Sequence, residues 1–210
     1  MRVVKEHDER KNEILDTAEV LFAQKGYDKT SIQAILDQVK IAKGTFYYYF
    51  KSKEEVMDAI LLRYNEKLLQ RAWAVANQEN IPAEIKLLQT ISALHLNEEE
   101  GKEILMEIHK PENVKMHQKI MVMLLKEVTP IIGKVIRDGI KEGLFQTEYP
   151  EETAEMLLVY IQTVLDDDMV PMTEEEKGRR MQAFICNAGK MLGVSEGCFE
   201  ELAGRLMGAE

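Results

Sequence analysis

The residues from Lys43 to Lys53 read Lys-Gly-Thr-Phe-Tyr-Tyr-Tyr-Phe-Lys-Ser-Lys. Three of the chain's seven tyrosines stand side by side here, between lysines at both ends. That composition suits binding rather than bond breaking. A phenol can donate to a phosphate oxygen while its ring packs on a sugar. Lys43 falls at the start of a short helix, where its charge adds to the positive end of the helix dipole. Gly44 has no side chain, so its backbone can come close to base edges. Phe46 and Phe50 are four apart and form a buried stripe. Tyr47, Tyr48 and Tyr49 must then spread around the rest of the helix, and a core helix does not need three phenols there. The chemistry implied is contact with the phosphates and base edges of a duplex.

Other chemistry finds little support. There is no HExxH, no nucleophile elbow and no P-loop in the chain, so an enzyme reading has no residues to rest on. His109 and His117 lie eight apart across Pro111, whereas a metal pair on one helical face wants i, i+4 spacing. Asp166 to Asp168 and Glu174 to Glu176 read as a solvated loop and a charged helix start. Cys186 and Cys198 have no CxxC spacing and read as two reduced thiols. No metal and no cofactor are expected.

The elements that must position the Lys43–Lys53 run are helical. Ile14, Leu15, Ala18, Leu21 and Phe22 form one apolar stripe, and Gly26 ends that helix. Ser31 is a candidate N-cap for a short helix carrying Ile32, Ile35, Leu36 and Val39. A three-residue turn, Lys40 to Ala42, leads to a second short helix from Lys43 to about Tyr49. Two short helices about such a turn over residues 31–50 are the layout of a helix-turn-helix, whose second helix enters a major groove. The plain alternative is an ordinary helical corner, and it is the tyrosines and lysines that favour the groove. Ser52 caps a long helix running to about Asn77.

Further helices are expected over about 82–96, 98–109, 112–142, 150–167, 173–192 and 195–207. Pro130 predicts a kink or break. Nothing alternates like a strand, so the fold class is all-α. The longest apolar runs, such as Ile120 to Leu125, are six residues, and a membrane helix needs about 20. No membrane span is expected. Arg2 to Glu13 is charged and lacks the apolar segment of a signal peptide, which with the thiols points to the cytoplasm.

The net charge of −10 seems to exclude nucleic acid, but it is unevenly spread. Residues 1–53 carry 10 Lys or Arg against 8 Asp or Glu, and residues 54–210 carry 17 against 29. A head of +2 precedes a body of −12, which suggests separate tasks. The division expected is a DNA-binding head, 1–53, and a helical body, 54–210.

At this point residues 8–57 resemble the DNA-binding domain of the TetR family of bacterial transcriptional regulators. The likeness includes the Ile14-to-Phe22 stripe, Gly26-Tyr27, Thr30-Ser31 and Ile35, and is densest from Lys43 to Glu55. Gly139 to Phe145, then Pro150, Thr153 and Ala154, resembles the family's entry into its late helices. The resemblance implies a three-helix helix-turn-helix head followed by a ligand-binding and dimerisation domain, nine to ten helices in all, and a homodimer. By position, Lys43, Gly44 and Thr45 would face base edges. Thr30, Tyr47, Tyr48, Tyr49 and Lys53 would mainly hold phosphates, with Ser31 beside them. Two positions depart from the family. Ala42 stands where Ser or Thr is usual, removing a cap. Lys40 stands where Gly is common in the turn.

In the body, ten of the twelve methionines lie between Met106 and Met207. Thioethers fit irregular cavities, although the simpler reading is core filling. Candidate effector contacts are Trp73, Met106, His109, Met121 and Tyr160; a packed core role is the stronger reading of Trp73. Met156, Leu157, Tyr160, Ile161, Val164 and Leu165 give one apolar face. Met181, Phe184, Ile185, Ala188 and Leu192 give another. Two such faces suit a dimer bundle or an internal core. The function expected is a repressor on a palindromic operator, released by a small-molecule effector. The alternative is a DNA-bound protein controlled by a protein partner.

Overall fold

The computed structural model describes residues 7–94, 106, 108–110, 113–166 and 169–194. These form eight helices and no strand among the described residues: α1 His7–Lys25, α2 Ile32–Val39, α3 Lys43–Tyr49, α4 Lys53–Ala76, α5 Ala83–Ala93, α6 Val114–Lys141, α7 Pro150–Val164 and α8 Glu174–Leu192. The helix expected at 195–207 lies outside the described residues, as does most of that expected at 98–109. The chain divides into two compact units, Met1–Glu66 with Asn97–His117 and Lys67–Leu96 with Gln118–Glu210. The division passes through α4, beyond the charge boundary at residue 53.

In the first unit, α1 packs on α2 and α2 on α3. Its apolar stripe behaves as its spacing requires: Ile14, Leu15, Ala18, Leu21 and Phe22 are buried, as are Ile35, Leu36, Val39, Phe46 and Phe50. Gly26 ends α1 with φ 85°, a conformation open to glycine. The Ser31 side chain accepts from the Ala34 N–H at 3.1 Å and starts α2. Lys40 ends α2 in the left-handed region, φ 60° and ψ 47°. Ala42 stands at the N-cap of α3 and makes no side-chain cap bond. Ser52 caps α4 through the Glu55 N–H at 3.1 Å. Along α4, Arg63 pairs with Asp16 at 2.5 Å and with Glu19, which also accepts from the Tyr64 hydroxyl. Burial pulls the Arg63 pKa down, but the hydrogen bond to Asp16 and the two carboxylate charges outweigh it and raise it.

The core of the second unit joins Ala72 and Ala76 of α4, Leu87 of α5, Val128, Ile131, Ile132, Val135 and Ile136 of α6, Ala154 and Leu158 of α7 and Leu192 of α8. Of the kink or break expected at Pro130, the break does not occur, because α6 runs through it. A missing N–H removes one ladder bond, and a stripe of buried aliphatic residues on both sides keeps the helix continuous. Gly139 allows a close approach: a Cβ there would lie 2.2 Å from the Phe145 ring and 2.9 Å from the Ala83 methyl. α8 opens with a full capping box of Thr173 and Glu176.

Candidate nucleic-acid interface

The seven residues of α3 divide as their spacing predicts. Phe46 is fully buried and its ring meets Phe50 at 6.0 Å. Tyr48 is 71% exposed and Tyr47 45%. Lys43 and Gly44 are exposed, and Thr45 and Tyr49 are half-buried. The Lys43 ammonium lies 5.9 Å from the Tyr47 ring centroid, near the outer limit for cation–π attraction. A Cβ on Gly44 would meet no atom within 4 Å. The glycine is therefore not demanded by the fold of this unit. Lys40, Lys43 and Lys51 are exposed on the same stretch of chain.

Sequence reasoning missed one neighbour of this surface. His7, at the start of α1, sits with its ring centroid 4.9 Å from Tyr49 and 5.8 Å from Tyr48, edge-on to the latter. The two tyrosines themselves meet edge-to-face at 5.0 Å. No local signal marks His7, since its partners are more than 40 residues away in sequence.

Two expected phosphate contacts need correction. Thr30 is 1% exposed, and its hydroxyl lies 2.9 Å from the Gly26 carbonyl oxygen and 3.2 Å from that of Leu21. It closes the α1–α2 link and offers no side-chain atom to a ligand. Its β-branched, slightly polar side chain serves the corner because the hydroxyl satisfies buried carbonyls. Lys53 donates to the Tyr27 carbonyl at 2.6 Å and, at 3.5 Å, to that of Asp28. Its ammonium also lies 4.1 Å from the Tyr27 ring centroid. It fixes α4 to the corner. Burial, followed by the charges of Glu54, Asp28 and Asp58, pushes the Tyr27 phenol up to about 12. Ser31 is exposed, with its oxygen already accepting at the cap.

Comparison with known proteins shows the family. Residues 14–60 match the model described as bacterial regulatory proteins, tetR family. Residues 92–186 match the tetracyclin repressor-like C-terminal domain. The chain belongs to the TetR family. Two uncharacterized HTH-type transcriptional regulators of Bacillus subtilis are similar to it. YhgD is 29% identical over 163 residues, 75% of this chain and 84% of YhgD. YuxN is 42% identical over 74 residues, 35% of this chain but only 25% of YuxN. The fold is also that of RolR, solved with its ligand resorcinol: TM-score 0.62, 19% identity, covering 94% of each chain. As a TetR-family member the protein is a DNA-binding transcriptional regulator.

The expected effector contacts are divided between the two units. Met106 and His109 fall in the first unit, and Trp73, Met121 and Tyr160 in the second. Trp73 is 38% exposed, so it is not the packed core residue expected. Met106 is exposed. His109 stacks edge-on against His117, with centroids 5.0 Å apart. Tyr160 stacks on Phe184 at 5.4 Å and joins α7 to α8. The second unit carries a cleft of about 830 Å³ among the 77–82 loop, the start of α5 and the end of α6, and none of these five residues lines it. No helix among the described residues is long and apolar enough to cross a membrane.

Proposed function

We propose that this regulator is a cytoplasmic, homodimeric repressor that binds a palindromic operator and is released by a small-molecule effector. The observation that carries the DNA half is the exposure of Lys43, Gly44, Tyr47 and Tyr48 on α3; in this reading Lys43, Gly44 and Thr45 meet base edges and Tyr47, Tyr48 and Tyr49 meet phosphates. Phosphate contacts set register and base contacts set sequence. Ser31 adds at the margin. The basic head is residues 1–53, and residues 54–210 form the effector and dimer domain. The exposed Met156 and Val159 on α7 support a dimer face.

A dimer reads two half-sites when its recognition helices lie about 34–36 Å apart, one turn of B-DNA, or a multiple. An effector that prefers another spacing lowers operator affinity, by no more than its differential affinity for the two states. The protein acts by binding and no reaction is assigned to it.

The test is a mobility shift on the DNA upstream of its own gene. Wild-type binding weakens steeply with salt, because phosphate contacts release counterions. Lys43→Ala and Tyr47→Ala each weaken it. Undiminished binding by both variants refutes the assignment of α3.

A further inference from the structure

The cleft at the 77–82 loop is lined by two charged side chains that have no protein partner among the described residues. Lys86 of α5 is only 6% exposed and lines the cleft. Among the described residues its ammonium has no hydrogen bond and no ion pair. Glu84, two residues earlier, also lines the cleft, and its Oε2 is buried with no donor among the described residues. A buried charge without a partner is costly, and folds ordinarily pair it.

Of the other charges around the cleft, Glu79 is exposed on the 77–82 loop, and Glu142, Lys134 and Asp138 have partners. Glu142 accepts from the Ala83 N–H at 3.1 Å, occupying the start of α5. Lys134 donates to Asp138 at 2.7 Å and to the Ala76 carbonyl at 3.1 Å. Burial raises the Asp138 carboxyl, but Lys134 and Lys141 outweigh it and hold it below its ordinary value. Among the described residues, the buried lining groups left over are one cation, Lys86, and one carboxylate, Glu84.

We propose that the cleft binds a small zwitterion of the amino-acid or dipeptide class. The ligand's carboxylate takes the Lys86 ammonium, and its ammonium donates to Glu84. A purely anionic ligand leaves Glu84 bare, and a purely cationic one leaves Lys86 bare. The volume, about 830 Å³, lies in the range of small-molecule sites. The site touches the end of α4 through the Ala76 carbonyl on Lys134, so its occupancy bears on that helix end. That this ligand is the regulator's effector rests on the function proposed above; that it binds does not.

The experiment therefore contains no DNA. The full chain is titrated calorimetrically with glycine, L-glutamine, L-arginine and glycylglycine, and with acetate and methylammonium as single-charge halves. At least one zwitterion binds with a Kd below about 1 mM, and each half binds at least roughly tenfold more weakly. Lys86→Met and Glu84→Gln each weaken the zwitterion roughly tenfold or more. Lys86→Met also melts higher than wild type without ligand, which separates lost binding from lost folding. The proposal is overturned if no zwitterion binds below about 1 mM. It is equally overturned if acetate or methylammonium alone binds as tightly, or if both variants bind like wild type. Operator binding is unaffected by any of these outcomes, so the two readings fail separately.

Discussion

Substituting Gly44 by alanine sets the fold and the DNA contact against each other. The added Cβ meets no atom within 4 Å, and Gly44 does not occupy the positive-φ region. Within α3 the change from glycine to alanine gains backbone entropy, worth about 0.5–1 kcal/mol at an exposed helix position. For a chain of this size that raises the melting temperature by about 1–4 °C. On the operator the sign reverses. A methyl group at the N-terminal turn of α3, in the DNA contact proposed for it, holds the backbone off the base edges by about one C–C bond length, roughly 1.5 Å. Losing one good base contact costs about 1–3 kcal/mol, a five- to hundredfold or so weaker operator Kd. No charge is removed, so the slope of binding against salt is unchanged. Thermal melting, fluorescence anisotropy on operator DNA and a salt titration read the three effects. Operator affinity within about twofold of wild type, in a protein that melts higher, refutes the close approach of α3 to the bases.

The remaining predictions concern the corner and the turn. Thr30→Val removes the buried hydroxyl from the Gly26 and Leu21 carbonyls and lowers stability by about 1–3 kcal/mol in urea unfolding, while the folded fraction binds operator with unchanged affinity. Lys40→Gly relieves the left-handed strain of about 1–2 kcal/mol and loses part of that to glycine's entropy, for a net gain of about 0.5–1 kcal/mol; a lower urea midpoint refutes it. Tyr27, with a phenol raised to about 12, binds its proton more tightly folded than unfolded. Its contribution is present below pH 10 and lost as pH rises toward 12. Wild type therefore destabilises more steeply over that interval than Tyr27→Phe, and parallel curves refute the burial of the phenol.

Most of the head was readable because its determinants are local. Caps at Ser31 and Ser52, the Gly26 stop and the stripe from Ile14 to Phe22 depend on residues within one or two turns. The left-handed Lys40 and the uncapped Ala42 follow from the same short range. Exposure within α3 was readable too, since Phe46 and Phe50 at i, i+4 leave the tyrosines no room on the buried face. The effector candidates were not readable in this way. Trp73, Met106, His109, Met121 and Tyr160 were chosen by residue type, and type says nothing about which cavity wall a side chain faces.

The sequence by itself determined an all-helical chain, a basic head on an acidic body and the surface from Lys43 to Tyr49, because periodicity and charge are properties of order along the chain. Only the tertiary structure decided the rest. It placed Thr30 inside the corner and tied Lys53 to the Tyr27 carbonyl. It set His7 against Tyr48 and Tyr49, and Gly139 under the Phe145 ring. It left Lys86 buried without a counter-charge among the described residues. Each of these depends on which distant atoms fill the space around a group. Burial and pairing are settled by packing in three dimensions, where a residue's energetic partners need not be its neighbours in sequence.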